Sequence, residues 1–179
     1  MILPFQGKYP KVDPTAFIVE NALVIGDVEI GVGTNIWFYA IVRGDTNSIR
    51  IGSKCCIQDA CVLHVGDKHP TILEDEVSLA HRVVVHGCWI KKRSLIGIGA
   101  IVLNGAEIGE ESVVGAGSLV APKTIIPPRT LALGVPAKPV RSLREEDFEL
   151  IRHTTDNYQN LKEIYRSLLQ PGSNIDLKK

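Results

Sequence analysis

Aliphatic residues recur at every sixth position through most of this chain of 179 residues. The repeat begins at Val12 and continues, interrupted by two insertions and one deletion, to Ile126. A period of six matches neither the 3.6-residue turn of an α-helix nor the two-residue alternation of a hairpin series. It is typical of a parallel β-solenoid, in which each coil is too thin to bury its own apolar edge and must stack on its neighbours. The repeat members are Val12, Ile18, Val24, Ile30, Ile36, Val42, Ile51, Ile57, Leu63, Leu73, Leu79, Val85, Ile90, Ile96, Val102, Ile108, Val114, Val120 and Ile126.

Two further features of the repeat favour tight corners between short strands. The residue four places after the aliphatic one is usually small or β-branched, and glycine often follows the aliphatic residue directly, as at Gly31, Gly97 and Gly115. Glycine lets a chain turn where other residues are strained. The sequence therefore predicts an all-β fold with aliphatic side chains stacked inside the solenoid, and an ordinary β-sandwich with chance spacing is the alternative.

Residues 12–137 resemble the hexapeptide-repeat family through this pattern of aliphatic residues, small residues and glycines. The resemblance implies a left-handed parallel β-helix with three strands per coil. The handedness comes from the family and not from the spacing. On this basis we assign residues 1–140 to a left-handed β-helix domain.

The periodicity changes after the proline-rich segment at 134–139. Ser142 and Glu145 have the spacing of a capping box, which indicates the start of a helix. We therefore expect residues 141–170 to form a C-terminal α-helix packed along the β-helix, followed by a flexible tail at 171–179. The apolar stripe of this helix consists of Ile151, Tyr158, Leu161, Tyr165 and Leu168.

Charge and composition argue against several classes of function. The 20 basic and 20 acidic residues give a net charge of zero and are dispersed, so nothing favours nucleic acid or an anionic membrane as a partner. The first seven residues lack a basic segment followed by an apolar run, so we expect no signal peptide or membrane anchor and a cytoplasmic protein. We expect the cysteines, which form no C-x-x-C pair, to be buried thiols and not disulfides or metal ligands: Cys55, Cys56, Cys61 and Cys88.

Two histidines follow inward-pointing members of the repeat. Leu63 and Val85 should point inward, so the adjacent His64 and His86 should point outward, because side chains alternate along a strand. Counting three edges per coil places these histidines on the same face, one coil apart. Their backbones would then be about 4.8 Å apart. That separation suits two imidazoles that share one ion.

A third histidine, His81, lies five residues before His86 on the preceding edge of the coil. It faces a different direction and cannot easily reach the same ion within one chain. A closed three-fold oligomer would bring His81 of one subunit to His64 and His86 of another. Three imidazoles with one open position commonly hold catalytic zinc. The alternative is that all three are ordinary surface histidines, which is what we expect of His69 and His153.

The segments around these histidines resemble the gamma-class carbonic anhydrases of the hexapeptide-repeat family. The resemblance implies a homotrimeric enzyme that binds zinc, or else iron or cobalt, at its subunit interfaces. The metal would lower the pKa of a bound water and supply a hydroxide that hydrates carbon dioxide to bicarbonate. The metal ligands would be His64, His81 and His86. The shared elements are Arg43-Gly44-Asp45, Gln58-Asp59, His64, the run from Ala80-His81 to His86-Gly87-Cys88, and Asp156-Asn157-Tyr158.

The same resemblance implies roles for five further residues as members of the catalytic site. Gln58 would orient the hydroxide, and Tyr158 would close one wall of the pocket. Arg43, Asp45 and Asp59 would form a charged group that ties adjacent subunits together beside the site. A plain interface ion pair is the alternative role for Arg43 and Asp59.

The sequence departs from the best-studied members of the class at the proton shuttle. Those members carry an acidic loop and a glutamate just after the Arg-Gly-Asp, whereas Thr46 occupies that position here. The short loop between His64 and Leu73 contains only Asp67 as an acidic residue. Because a proton must leave the site on every turnover, this departure concerns the rate of hydration more than metal binding. Asp67 and His69 are the candidates to replace the shuttle.

Two other kinds of function are compatible with the repeat. An acyltransferase using coenzyme A is one, because residues 134–138 resemble the end of many such enzymes, but it needs one histidine as general base and not three. Thioester hydrolysis by the same metal-activated nucleophile is a related alternative. A metal-binding carrier or scaffold protein with little activity is the other, since one scaffold hosts several chemistries.

Overall fold

The structure is a computed structural model that describes residues 1–169, so the predicted tail at 171–179 lies outside the described residues. Most of its strands are only two or three residues long. The elements are β1 Ile2–Leu3, β2 Lys11–Val12, β3 Phe17–Ile18, β4 Leu23–Ile30, β5 Asn35–Ile36, β6 Ile41–Ile51, β7 Cys56–Ile57, β8 Val62–His64, β9 Thr71–Leu73, β10 Ser78–Leu79, β11 Val84–His86, β12 Trp89–Ile90, β13 Leu95–Ile96, β14 Ile101–Val102, β15 Glu107–Ile108, β16 Val113–Val114, β17 Leu119–Val120, β18 Ile125–Ile126, β19 Thr130–Gly134, β20 Ala137–Ser142 and α1 Glu145–Leu168.

The strands stack as parallel coils with three faces. Face A contains the start of β6 with β8, β11, β14 and β17, and face B contains the end of β6 with β9, β12, β15 and β18. Face C contains β3, β5, β7, β10, β13, β16 and β19, with β20 added antiparallel at its end. The long strands β4 and β6 continue around the corner between faces A and B. This architecture confirms the predicted parallel β-solenoid followed by a single C-terminal helix.

The predicted repeat forms the core. From Val24 to Ile126 every repeat member is at most 4% exposed, and the members stack in register from coil to coil. Burying each such side chain contributes about 1.5–3 kcal/mol relative to leaving it in water. Val12 and Ile18 are only partly buried because they lie at the open end of the first coil. The six-residue period therefore specifies a continuous aliphatic column along the solenoid axis.

Glycine after the aliphatic residue is required for a different reason from the one the sequence suggested. Gly97 does not adopt a left-handed backbone, but a Cβ atom there would lie 2.5 Å from the backbone nitrogen of Ala116 in the next coil. The constraint is thus the close approach of stacked backbones. Left-handed conformations occur elsewhere at the corners, where glycine such as Gly99 (φ +67°) alternates with ordinary residues such as Arg82 (φ 59°).

All four cysteines are free and buried, as predicted. Burial raises the pKa of the Cys55, Cys61 and Cys88 thiols to about 12, and it raises that of Cys56 well above its usual value. Cys55 and Cys61 occupy the small-residue position of the repeat, four places after Ile51 and Ile57. They therefore behave as small apolar groups, not as nucleophiles.

The N-cap of helix α1 lies two residues after the predicted cap. A capping box of Ser142 and Glu145 is wrong, because Ser142 is the last residue of the antiparallel strand β20. The N-cap is Arg144, whose backbone amide donates a hydrogen bond of 2.7 Å to the Asp147 carboxylate. The Arg141 guanidinium also donates to that carboxylate. The terminal hairpin thus sets the position at which the helix starts.

Helix α1 lies along face C and covers it from one end of the solenoid to the other. Thr155 Oγ1 lies 3.4 Å from Ser78 Oγ, and Lys162 Nζ donates to the Gly33 carbonyl at 2.9 Å. Leu168, the last residue of the predicted stripe, is 43% exposed, so the stripe ends before it. No helix within residues 1–169 has the length and apolar character to cross a bilayer. The predicted stripe residues that pack on the solenoid are Ile151, Tyr158, Leu161 and Tyr165.

The outer surfaces of the three faces differ. Face C is covered by α1, and the outward positions of face B carry ion pairs such as Lys11–Glu29. Face A instead presents one aliphatic side chain per coil, in register and only partly buried. We call this set the aliphatic row, and it consists of Leu23, Ile41, Val62, Val84, Ile101 and Leu119.

Candidate metal centre

His64 and His86 occupy paired positions on adjacent coils of face A. Their ring centroids are 5.0 Å apart, and His64 Nδ1 lies 3.0 Å from His86 Nε2. The alternation of side chains along β8 and β11 produces this arrangement, since the neighbouring Leu63 and Val85 are fully buried. The predicted stacking of these two histidines on one face is confirmed.

The outer nitrogen of each ring contacts an oxygen atom. His64 Nε2 lies 2.9 Å from Asp45 Oδ1, and His86 Nδ1 lies 2.6 Å from Asn104 Oδ1. The four side chains therefore form a row across four successive coils, which we call the polar row: Asp45, His64, His86 and Asn104. Each ring nitrogen in it faces a different partner.

The chemistry of the polar row fits a bound cation. The oxygens of Asp45 and Asn104 only accept hydrogen bonds, so each takes an N–H from the ring it faces. A neutral imidazole carries one N–H, so the inner nitrogens of His64 and His86 would then direct two lone pairs at each other. A proton or a metal ion between them resolves that conflict. Zinc suits this position, because neutral imidazole nitrogens are among its usual ligands.

One chain does not complete such a site. Among residues 1–169, no three His, Cys, Asp or Glu side chains converge so that they could hold one metal ion. The Asp45 carboxylate contacts Nε2 of His64, whereas Nδ1 of His64 faces His86. The polar row therefore offers two imidazole nitrogens to one ion.

Asp45 is held as a carboxylate by its neighbours. Burial raises the pKa of Asp45, but hydrogen bonds from His64, from the Thr46 backbone amide and from Arg43 outweigh this effect and lower the pKa to about 2. The Thr46 amide donates to it at 2.8 Å, and the Arg43 guanidinium donates to its second oxygen. Arg43 and Asp45 thus form an ion pair beside His64, where the Arg-Gly-Asp motif predicts a charged group.

His81 lies at the corner between faces C and A and is separate from the polar row. Its Nδ1 is 2.8 Å from Asp59 Oδ2, and its Nε2 is 3.4 Å from the phenol oxygen of Tyr158 on α1. Its side chain is 42% exposed. The structure thus brings together His81, Asp59 and Tyr158, as it brings together His64, His86 and Asp45, and it shows no contact between the two groups within residues 1–169.

A groove of about 360 Å³ runs beside His81 between α1 and the solenoid, and its wall includes Gln58, Asn157, Tyr158 and His153. Gln58 is 4% exposed and is the buried polar residue of this wall. Burial raises the pKa of Tyr158 to about 12, so its phenol keeps its proton at neutral pH.

The two histidines that we expected to be solvated differ. His153 is exposed on the helix. His69 is only partly exposed, since its ring and Cβ pack near Gly105 and Gly87. The expectation is therefore met for His153 and wrong for His69.

Sequence reasoning missed Asn104, although it contacts a candidate ligand. It lies 18 residues after His86, one position beyond the end of a coil that is 17 residues long here. The coil is shorter by one residue because the repeat drops a residue between Val85 and Ile90. A search for polar residues within one position of a coil's length from each histidine would have found it.

Comparison with known proteins places the chain in a family. Residues 87–122 match the family described as bacterial transferase hexapeptide (six repeats). The chain is 43% identical to a carbonic anhydrase of Geobacillus kaustophilus over 100% of this chain and 98% of that protein. It is 40% identical to the mitochondrial gamma carbonic anhydrase 1 of Arabidopsis thaliana over 88% of this chain and 60% of that longer protein.

A solved structure agrees with these matches. A Bacillus cereus protein, described provisionally as an acetyltransferase, superposes with a TM-score of 0.92 at 44% identity, over 93% of this chain and 97% of that one. Fold and sequence together define a hexapeptide-repeat protein. The chain belongs to the hexapeptide-repeat family of left-handed β-helices and, within it, to the gamma carbonic anhydrase-like proteins.

Proposed function

We propose that this protein is a metal-dependent carbonic anhydrase of the gamma class, a lyase that hydrates carbon dioxide to bicarbonate. The observation that carries the proposal is the pairing of His64 and His86, with facing nitrogens 3.0 Å apart. Relatives named carbonic anhydrase at 40% and 43% identity support it. Zinc is the proposed metal, with iron or cobalt as alternatives. When bound, such an ion supplies Lewis acidity and lowers the pKa of a coordinated water towards 7.

The proposed ligands are His64 and His86 of one subunit and His81 of the next. Hydrogen bonds to the far nitrogen of a ligand ring fix its tautomer and orientation. Asp45 contacts the far nitrogen of His64, and Asp59 contacts Nδ1 of His81. Both carboxylates thus hold a ring in place and also add negative charge near a cation.

Gln58 and Tyr158 form the proposed substrate side of the site. The side-chain amide of Gln58 can donate to one oxygen and accept from another, which suits the oxygen atoms of water, carbon dioxide and bicarbonate. The phenol of Tyr158 closes the groove beside His81. Its proton remains in place at neutral pH, so it acts as a donor and a wall and not as a base.

A homotrimer is proposed because the two halves of the site lie at opposite edges of face A. In this coil the chain enters face A at the start of β11, just after His81, and leaves it at His86, the last residue of β11. One chain therefore cannot close the site, but the same face of a neighbouring copy can. The aliphatic row lies between these edges, partly exposed and in register. Contiguous apolar surface of this kind marks an interaction site, and a second copy of the chain supplies the matching row.

The proposed compartment is the cytoplasm. The four buried free thiols support a reducing environment, in which disulfides do not form. Carbon dioxide and bicarbonate are the proposed small-molecule partners.

Acyl transfer, or hydrolysis of a thioester, is the second candidate function. The similarity to the Bacillus cereus protein described as an acetyltransferase favours it. A metal-carrying or scaffold role with little activity is the third. These functions predict different outcomes of one experiment.

The experiment uses untagged protein purified under anaerobic and then aerobic conditions. Metal content per subunit is measured beside stopped-flow hydration of carbon dioxide, with His81→Ala as the test variant and Lys11→Ala, an exposed residue of face B, as the control. We expect one metal per subunit and hydration in wild type and in Lys11→Ala, and loss of hydration in His81→Ala. Metal without hydration would favour thioester hydrolysis or the carrier role. Wild-type protein without metal, together with acyl-coenzyme A turnover, would favour the acyltransferase.

A further inference from the structure

We propose that Asn104 is a positioning residue that fixes His86 as the Nδ1–H tautomer and so leaves its Nε2 free to bind the metal. The inference rests on the proposed metal centre for its consequence, but its geometry stands on contacts within the chain. Asn104 Oδ1 lies 2.6 Å from His86 Nδ1, which is a short contact for a neutral pair. Since that oxygen only accepts, His86 Nδ1 carries the hydrogen.

The position of the Asn104 amide is determined by two glycines in the preceding coils. A Cβ atom at Gly87 would lie 2.5 Å from Asn104 Oδ1, and one at Gly66 would lie 3.0 Å from the same atom. A side chain at Gly87 or at Gly66 would therefore occupy the space that the Asn104 amide fills. Its side chain is partly buried there.

Asn104 also differs chemically from the other two groups that hold the proposed ligands. Asp45 and Asp59 are carboxylates, whereas Asn104 supplies a neutral carbonyl to His86. A carboxylate makes the ring it touches a stronger donor to a metal than an amide does. The polar row therefore fixes the orientation of His86 without adding a third negative charge beside the metal.

The first measurement detects the tautomer in metal-free protein. Nitrogen-15 NMR of the histidine side chains distinguishes Nδ1–H from Nε2–H, and we expect His86 to be the Nδ1–H form in wild type. In Asn104→Leu, which has a side chain of similar size but no acceptor, we expect a shift towards the Nε2–H form. A His86 ring that carries no hydrogen on Nδ1 in wild type would overturn the inference without reference to any metal or activity.

The second measurement is zinc affinity by competition with a chromophoric chelator. We expect Asn104→Leu to bind zinc about 10–100-fold more weakly, the usual effect of losing such an outer contact. Asn104→Asp keeps an acceptor and should restore most of that affinity. The matched control is Asn47→Ala, because Asn47 donates to the carbonyls of Gly66 and Asp67 in the same corner and makes no hydrogen bond to a histidine within residues 1–169.

The outcomes separate this inference from the proposed function. Unchanged zinc affinity in Asn104→Leu, or an equal loss in Asn47→Ala, would contradict the positioning role and indicate a purely structural one. A wild-type protein that binds no zinc would contradict the proposed metal centre, and the tautomer of His86 would still decide the role of Asn104. Circular dichroism of each variant checks that the fold is retained.

Discussion

Trp37 and Tyr158 pack edge to face, with ring centroids 5.3 Å apart and an interplanar angle of 75°. This contact joins the C-terminal helix to face C next to His81, because the phenol oxygen of the same tyrosine lies 3.4 Å from His81 Nε2. Tyr165 packs against Trp37 in the same way, at 5.2 Å. One side chain thus contributes both to the seating of the helix and to the wall of the proposed site.

Tyr158 should therefore respond differently to two substitutions. Tyr158→Phe keeps the ring contact with Trp37 and loses only the hydroxyl, so we expect the free energy of unfolding to change by about 1 kcal/mol or less. Tyr158→Ala removes the ring and should cost about 2–4 kcal/mol. Urea denaturation measures both. Equal losses in the two variants would show that the hydroxyl, and not the ring, holds the helix.

Asp45 predicts a defined pH dependence of stability in metal-free protein. Its pKa is lowered from 3.8 to about 2 in the folded state. A carboxyl with a depressed folded pKa stabilises the fold above its unfolded pKa, and this stabilisation is lost as the pH falls through the folded value. The shift corresponds to about 2 kcal/mol at neutral pH.

Asp45→Asn should therefore be less stable than wild type by about 2 kcal/mol at pH 7, and the difference should disappear between about pH 4 and pH 2. Urea denaturation at a series of pH values, after removal of metal with a chelator, measures it. Asp67→Asn changes an exposed loop carboxylate and should leave the free energy of unfolding nearly unchanged. A wild-type advantage that persists below pH 2 would contradict this account.

Mixing subunits tests whether one site is shared between two chains. His81→Ala and His64→Ala should each lack hydration activity as pure proteins, because each removes a proposed ligand from every site. After unfolding and refolding together, mixed trimers contain interfaces where an intact His81 meets an intact His64. We expect partial recovery of stopped-flow activity in the mixture. No recovery, with mixed trimers verified by native mass spectrometry, would place all ligands in one chain.

The aliphatic row on face A should hold the proposed homotrimer together. Val84→Lys places a charge in the middle of the row and should convert the trimer to monomers, because burying an unpaired charge at an interface is costly. The matched control is Ile125→Lys on face B, where the side chain is already 66% exposed. Analytical ultracentrifugation measures the assembly of both. A trimeric Val84→Lys protein would show that face A is not the interface.

Much of this arrangement could be predicted from residue spacing. The pairing of His64 with His86 follows from counting three edges per coil and from the alternation of side chains, both of which are local properties of the repeat. The cap at Arg144 could not be predicted in this way, because it depends on the antiparallel pairing of β20 with β19, which keeps Ser142 in a strand. The predicted cap at Ser142 follows a local motif that the tertiary pairing overrides.

The sequence by itself determined the solenoid, its aliphatic column and the faces on which the histidines lie, because a six-residue period places each side chain relative to the axis without any long-range information. Only the tertiary structure decided the contacts that run between coils and elements. Asn104 meets His86, Asp59 meets His81, and Tyr158 on α1 reaches the same histidine across 77 residues of chain. These contacts depend on how side chains turn at the corners and on where the helix is seated. The period does not encode either, since both result from packing between segments distant in sequence.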